Sequence, residues 1–439
     1  MAASSAERLT RNRDYITTFA AEALFILSYL AVFRLVADVF GPRGFGEYAL
    51  ARRTLAFLLP VGAIGLDVAI ARFVAYAAGR TSEQRAYLPA ALGLLGIAVG
   101  LESVVLLAFK SFWAELLFGS ASFSVLVPPL ALMVAGNGLF AVAYGNFRGH
   151  LRIVEANVLR VIVHAVFPLA AALAIHGSVA SLLYAIGGGW AILSAAALAV
   201  TPMTLDRPVE RAVELARYSL PRTPGDLLAL VLFAVPGIVV AHVADITVAG
   251  QVAFGVAALG MIASAVFPAG FVLLPVASRL IASGSISTLR IQVFAVARVI
   301  VLLIVAGVVI FEVFATQIVT LYLGSQFAGS VTILRVLMLG ALPWGLYIAL
   351  RSVIDARHRR ALNAINVAIT FAAFTAVTLI AQAFVAPADA VVPIFVVSLY
   401  LLGALTVIEV WRITRPEDRT VTLDEAAQAL GEEAAEPML

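Results

Sequence analysis

Long apolar runs recur from one end of this chain to the other, separated by short polar segments. Each run holds about 20 residues, the length of a helix that crosses a bilayer core. None shows the ten-residue alternation typical of transmembrane β-barrel strands. We therefore predict an all-α polytopic membrane protein of about twelve helices. The predicted spans lie near 15–38, 47–73, 86–108, 124–145, 151–175, 178–201, 217–241, 251–277, 288–312, 329–350, 361–384 and 390–411.

The longest internal polar stretch, TPMTLDRPVERAVELARY, divides these spans into two sets of six. The predicted organisation is a cytoplasmic N-terminal segment at 1–14, an N-lobe at 15–201, a cytoplasmic linker at 202–216, a C-lobe at 217–411 and a cytoplasmic tail at 412–439. The first apolar run is too long for a signal peptide and no cleavage site follows it, so we interpret it as a retained span.

Composition supports this class and excludes several functions. Hydrophobic residues make up 62% of the chain and charged residues 13%, about half the charged fraction of a typical soluble domain. The absence of cysteine excludes disulfides and thiolate metal sites. No GxxxxGK[ST] motif for ATP hydrolysis is present, and the few histidines lack metal-ligand spacing. We predict no enzymatic activity, no cofactor, no metal site and no nucleic-acid partner.

Positive charge is distributed unequally between the two sides of the predicted helix bundle. Twenty of the 29 lysines and arginines fall in segments on one side, here called the arginine-rich side. The opposite, arginine-poor side has only Arg43 and Lys110, and seven arginines lie within spans. Because positive loops stay in the cytoplasm, both termini are predicted to be cytoplasmic.

The two halves of the sequence repeat each other weakly. The segment FGEYALARRTLAFLLPVGAIGLDVAIARFVAYAAG aligns with AGQVAFGVAALGMIASAVFPAGFVLLPVASRLIASG, and ELLFGS aligns with TLYLGS. Matching glycines at a nearly constant separation are Gly46 and Gly250, Gly65 and Gly270, Gly79 and Gly284, and Gly119 and Gly324. Six helices per copy give both copies the same orientation. Such parallel repeats place a cavity between two bundles and alternate its access by rocking.

The stretch FGPRGFGEYALARRTLAFLLPVGAIGLDVAIARFVA resembles the first-to-second helix region of polysaccharide-type flippases of the multidrug/oligosaccharidyl-lipid/polysaccharide exporter superfamily. The matching positions are Gly41, Pro42, Phe45, Gly46, Tyr48, Gly65 and Leu66. YSLPRTPGDLL, VLLPVASRLIASG and VTLYLGSQFAGSVTILRVLMLG resemble parts of the second lobe, so the resemblance covers about residues 12–410.

The resemblance implies a function in the bacterial cytoplasmic membrane. Such proteins flip undecaprenyl-pyrophosphate-linked oligosaccharides to the outer leaflet for surface polysaccharides such as O-antigen or exopolysaccharide, alongside glycosyltransferases and a polymerase. The alternatives are a cation-coupled exporter of small drugs and a peptidoglycan-precursor flippase, although the latter commonly has two extra helices. A membrane glycosyltransferase or polymerase would need a large outer loop, and every predicted outer loop is short.

Arginines inside spans are the candidate binding residues, because charge there is costly and usually faces an interior cavity. Arg52 and Arg53 align with Val256 and Ala257, and Arg34 aligns with Ile238, so the fold itself does not require these cations. A guanidinium binds phosphate oxygens bidentately. We predict a pyrophosphate-binding cavity formed by Arg34, Arg52, Arg53, Arg160 and Arg298. Snorkelling to the outer interface, or an Arg34–Asp38 pair, is the alternative.

Two acidic residues occupy matching places in the repeats. Glu22 in the first predicted span aligns with Asp226 in the seventh. Embedded acids at symmetric positions could bind the H⁺ or Na⁺ that drives transport. Arg222 lies one turn before Asp226, so an intrahelical ion pair is the alternative there.

Overall fold

The computed structural model describes residues 5–220, 223–358 and 361–415, and every regular element in these ranges is helical. The helices are α1 (Ser5–Ala63), α2 (Leu66–Tyr76), α3 (Thr81–Ala108), α4 (Lys110–Phe118), α5 (Val127–Gly149), α6 (Ile153–Val161), α7 (Phe167–Ala174), α8 (Val179–Ala199), α9 (Pro208–Ser219), α10 (Thr223–Val243), α11 (Ile246–Ala282), α12 (Ile286–Leu323), α13 (Val331–Met338), α14 (Ala341–Arg357), α15 (Leu362–Ala381) and α16 (Pro387–Thr414). Short 3₁₀ turns precede α5 and α13, and a π-helical segment, Ile162–Val166, joins α6 to α7.

The described residues of each of the twelve predicted spans lie mainly on helices. Eight helices in the described ranges are long and apolar enough to cross a membrane, and a pair bent by 42°, Ser325–Met338 and Ala341–Arg357, makes a ninth. α1 contains the first predicted span and most of the second, and non-helical backbone at Gly41, where φ is 65°, separates the two. The second span continues into α2. The shorter apolar stretches Leu227–Val243 and Ile246–Ile262 lie on the seventh and eighth predicted spans. The protein is therefore a polytopic helical membrane protein.

The helices before α9 form one bundle, the N-lobe, and those after it form the C-lobe. α5 packs against α2, α3 and α8 in the N-lobe, and α14 packs against α11, α12 and α16 in the C-lobe. Glycine makes the α5–α8 approach close. A methyl group at Gly136 would lie 2.7 Å from the carbonyl oxygen of Gly187, so these two backbones meet without a side chain between them.

The two lobes touch mainly where the second half of α1 crosses α11. Gly46 and Gly250, which the sequence repeat aligns, meet at this crossing, and a Cβ on either residue would overlap the facing backbone. The matching of Gly46 and Gly250 is thus explained by one close contact between the two copies.

On the arginine-poor side, polar and aromatic contacts close the gap between the lobes. Arg34 donates a hydrogen bond to the Tyr322 carbonyl at 2.7 Å, and the Tyr322 hydroxyl donates to the Leu30 carbonyl at 2.6 Å. The Phe45 ring packs edge-on against the rings of Phe254 and Phe327 at 5.4 and 4.9 Å. These contacts join α1 to the C-lobe.

The linker helix α9 is docked on the N-lobe. Arg211 forms an ion pair with Glu83 of α3 at 3.2 Å, and Tyr87 donates to Glu214 at 2.8 Å. The Arg72 guanidinium of α2 lies 4.4 Å from the centre of the Tyr218 ring. α9 therefore lies against the N-lobe at the arginine-rich side.

Candidate functional site

A cavity of about 760 Å³ lies between the lobes, in the membrane-embedded part of the bundle. Its walls come from α1, α2, α5, α6, the π-helical segment, α8, α9 and α11. The lining reaches Asp67, Tyr144 and Ser219 towards the arginine-rich side. The inter-lobe contacts of Arg34, Tyr322 and Phe45 lie at the other end.

Arg52 and Arg53 both line this cavity, although adjacent residues on a helix point about 100° apart. Their side chains diverge. The Arg52 guanidinium lies between the Tyr29 and Trp190 rings, 5.6 and 5.4 Å from their centres, on the N-lobe side. Arg53 reaches across to the C-lobe, where its Nε donates to the Phe233 carbonyl at 3.1 Å. The pair therefore contributes positive charge to both walls.

Neither guanidinium has a carboxylate partner among the residues that the structure describes. The Nε atom of Arg52 is buried without a hydrogen-bond partner, and Arg53 pairs only with a neutral carbonyl and lies over the Phe233 ring at 5.5 Å. Burying charge without a counter-ion is costly. An anionic ligand with several oxygen acceptors would satisfy these donors and offset that cost.

Arg160 and Glu22, predicted for headgroup binding and ion coupling respectively, are brought together. Arg160 Nη2 lies 2.6 Å from Glu22 Oε2, and both side chains are partly exposed. The Arg160 guanidinium also lies 5.4 Å from the Phe25 ring centre. Arg160 lines the cavity, but its charge is balanced locally. The side chain of Asp226, the second predicted coupling acid, and Arg222 lie outside the part that the structure describes.

Arg34 and Arg298 do not line the cavity. Arg34 pairs with Asp38 at 3.0 Å and joins the contacts at the closed end. Arg298 lies in a separate groove of about 310 Å³ between α12, α14 and α16, with Phe294 and Trp411 among its apolar walls. In this conformation the five predicted arginines therefore form no single cluster.

In the sequence, His164 lies one turn from Arg160 and suggests either a sugar contact or a helix-packing contact, whereas the rings of Phe140 and Trp190 were not predicted as part of the site. His164 packs edge-on against Phe140 and Trp190, with ring centres 4.2 and 4.6 Å apart. Trp190 follows the glycine run at 187–189, and glycine runs in apolar helices allow close helix packing. That packing is present, and it also places the Trp190 ring beside Arg52. The large Trp190 ring directly after a glycine run was the sequence feature that could have indicated this aromatic part of the site.

No group of three or more His, Asp or Glu side chains in the described ranges is arranged to hold a metal ion. The polar atoms of the cavity are mostly hydrogen-bond donors. The chemistry that they suit is reversible binding of an anion.

Comparison with known proteins gives a consistent family and fold. The profile of a family described as "Polysaccharide biosynthesis protein" matches residues 15–281. No curated protein matches the chain by sequence.

Solved transporter structures share the fold at low sequence identity. An inward-facing multidrug resistance MATE family transporter of the MOP superfamily has a TM-score of 0.76 at 13% identity, covering 90% of this chain and 96% of that one. The lipid II flippase MurJ in an inward closed conformation has a TM-score of 0.72 at 14% identity, covering 90% and 87%. A MOP superfamily transporter from Pyrococcus furiosus has a TM-score of 0.60 at 14% identity, covering 94% and 99%.

Proposed function

Because the chain belongs to the polysaccharide biosynthesis protein family, we propose that it flips an undecaprenyl-pyrophosphate-linked oligosaccharide across the bacterial cytoplasmic membrane. The observation that carries the proposal is the pair Arg52 and Arg53 in the inter-lobe cavity, without a carboxylate partner among the described residues. A pyrophosphate headgroup supplies the charge and the acceptor oxygens that these donors require. Glycosyltransferases would supply the substrate, and a polymerase would use the flipped product.

The physical difficulty of flipping lies in the headgroup, because its hydration must be replaced inside a low-dielectric layer. Two guanidinium groups can bind non-bridging oxygens from opposite walls, and Arg binds such groups bidentately. The Tyr29 and Trp190 rings beside Arg52 offer flat surfaces of the kind on which sugar rings pack. The polyprenyl chain needs no such site, since it is soluble in the bilayer.

The described conformation fits the stage that loads from the arginine-rich side. Its cavity lining extends to that side, and the arginine-poor side is closed by α1 and C-lobe contacts. We propose that the two lobes, residues 15–201 and 217–411, rock about the Gly46–Gly250 crossing. The closed end would then open and the arginine-rich end would close around α9.

Binding and flipping by purified protein test the proposal. Arg52→Ala and Arg53→Ala should each weaken binding of an undecaprenyl-pyrophosphate-linked oligosaccharide by about 2 kcal/mol, roughly thirtyfold, because each removes a charge-assisted hydrogen bond. Lys should rescue only partly, since it lacks the planar fork. Arg298→Ala is the matched control, an arginine within a span but outside the cavity. Equal affinity in all three alanine variants would contradict the headgroup site.

The same binding and flipping assays distinguish two alternative functions, a peptidoglycan-precursor flippase and a drug exporter. A peptidoglycan precursor also carries pyrophosphate, so competition between the two lipids separates those substrates. A drug exporter would instead transport a small molecule in proteoliposomes and ignore both lipids.

We also propose that both termini are cytoplasmic. Alkaline phosphatase fused after Arg415 should be inactive, because the enzyme folds only outside the cytoplasm. Fusions near Ser120 or Gln326 should be active. The reverse pattern would overturn the proposed orientation and twelve-span topology.

A further inference from the structure

Glu102 is a buried carboxyl group that the anion site does not use. It lies within the predicted span 86–108, on α3. Both of its carboxyl oxygens are shielded from solvent and have no hydrogen-bond partner among the described residues. Glu22, in contrast, already has Arg160 as its partner.

The surroundings of Glu102 are small and apolar. A methyl group built on Gly62 of α1 would lie 2.7 Å from Glu102 Oε2 and 3.5 Å from a Val99 methyl, so the carboxyl fills the space that a side chain at Gly62 would occupy. Val134 of α5 also packs at Gly62. These side chains provide no oxygen ligands, so the site fits a proton and not a metal ion.

Other charged groups on the packed elements leave Glu102 unpaired. α3 contacts α1, α2, α4, α5 and α9. The ionisable residues on these elements include Arg52, Arg53, Asp67, Arg72, Tyr144, Arg148, Lys110, Glu115, Arg211 and Glu214, and the last two pack at the opposite end of α3 from Glu102. Within the described ranges, none of them forms an ion pair or a hydrogen bond with Glu102. An ionised carboxylate without a partner inside a membrane protein is costly.

The segment that covers Glu102 is also a wall of the cavity. Gly62 faces the carboxyl, whereas Pro60, Ala63 and Gly65 line the inter-lobe cavity. The helix is interrupted here. Pro60 supplies no backbone N–H, and Ile64 and Gly65 have φ values of 42° and 69°. A β-branched residue at positive φ is a strained conformation that the surroundings must hold in place.

We propose that Glu102 is a proton-binding site that couples protonation to the conformation of residues 60–65. With its proton bound, the carboxylic acid is neutral and tolerates the contact with Gly62. When the O–H bond breaks, the proton passes to a water molecule and a carboxylate remains. That carboxylate must gain water, so the 60–65 segment moves away and the cavity wall changes shape. The inference depends on the proposed function only in treating this cavity as the substrate site.

The proton itself can be observed without substrate. Infrared difference spectra of purified protein at neutral pH should show a carboxylic acid C=O band that disappears in Glu102→Gln. Glu115→Gln, which changes an exposed glutamate on α4, should keep the band. If Glu102→Gln leaves every carboxylic acid band of the wild type in place, Glu102 does not hold a proton and the proposal is wrong.

The coupling can be measured because the natural chain has no cysteine. Ala63→Cys and Ala56→Cys each place one thiol on the cavity wall, the first beside the break and the second before Pro60. The ratio of their maleimide-labelling rates removes the pH dependence that the two thiols share, and the same ratio measured in the Glu102→Gln background removes any difference in thiolate fraction between the two sites. We expect the ratio to change about threefold or more between about pH 5 and pH 9, beyond its change in the Glu102→Gln background.

Two controls distinguish the loss of the proton site from misfolding and from an error in the proposed substrate. Gln has nearly the same shape as Glu, and an unchanged melting temperature confirms that the variant is folded. The same pH dependence of the ratio with and without Glu102→Gln would overturn the coupling. If the Arg52 and Arg53 variants bind the lipid normally but the Glu102 results hold, the proposed substrate is wrong and the proton site stands.

Discussion

The two lobes have related sequences and matching helix packing, yet they form opposite kinds of cavity wall. The N-lobe contributes Arg52, Arg160, Tyr29, His164 and Trp190, which are charged or aromatic. The C-lobe contributes Ala253 and Ala257. Ala257 stands where the sequence repeat places Arg53, and Val256, which is fully buried, stands where it places Arg52.

This difference separates what the fold requires from what the ligand requires. Features present in both copies, such as Gly46 and Gly250, serve the contact between the lobes. Features present in one copy, such as the arginine pair, are free to serve binding. Glu102 belongs to the second group, because the C-lobe has Ala306 and Gly307 in the corresponding part of α12.

The largest effect on stability should come from the glycine contact that both copies share. Gly46→Val or Gly250→Val forces a side chain into the opposite backbone, so we expect at least about 3 kcal/mol of destabilisation and loss of the closed end. Thermal unfolding of the detergent-solubilised protein measures it. Gly100→Ala, on a helix with open space around the added methyl, should leave stability nearly unchanged. Equal melting temperatures for all three variants would show that the crossing is not tight.

The lobe difference itself can be reversed. Ala257→Arg adds a cation to the alanine wall of the same cavity, so the affinity for a pyrophosphate-linked lipid should rise about tenfold, or 1.4 kcal/mol. In an Arg53→Ala background it should restore part of the lost affinity. Binding titrations at low and high salt check this, because the gain should shrink as salt screens the charge. No gain in either background would mean that the C-lobe wall does not contact the headgroup.

A smaller effect is expected where the N-lobe already balances its own charge. Glu22→Gln frees Arg160 from its partner, so headgroup affinity should rise about threefold, with less than about 1 kcal/mol lost in stability. Asp226→Asn is the symmetric variant in the C-lobe. The predicted ion-coupling role of this pair is checked by flipping rates under an imposed proton or sodium gradient. Normal gradient dependence in both variants would remove that role.

The smallest effect is expected in the C-lobe groove. Arg298→Ala should change headgroup affinity by less than about twofold, since Arg298 lies outside the inter-lobe cavity. Arg34→Ala should also spare binding. It should weaken the closed end, because Arg34 holds the Tyr322 carbonyl there. Strong loss of affinity in Arg298→Ala would show that the groove joins the cavity in another conformation.

The sequence by itself determined the membrane class, the helical segments and the duplication. Each follows from composition, from apolar runs of bilayer length, or from the regular spacing of glycines, and these are local or periodic properties. The family resemblance added the expectation of an anionic lipid substrate, which led to the arginines within spans.

Tertiary structure decided which of those arginines share a cavity. Arg52 and Arg53 are adjacent in sequence and diverge on the helix, and the position of Phe233 in the C-lobe gives Arg53 a hydrogen-bond acceptor on the other lobe. Glu22 and Arg160 are far apart in the chain but form an ion pair, while Arg34 and Arg298 lie elsewhere. The spacing of residues along one helix determines only the direction in which each side chain points from that helix's own axis. The rotation of each helix against its neighbours depends on packing between distant segments, so the pairing of charges could not be read from the sequence.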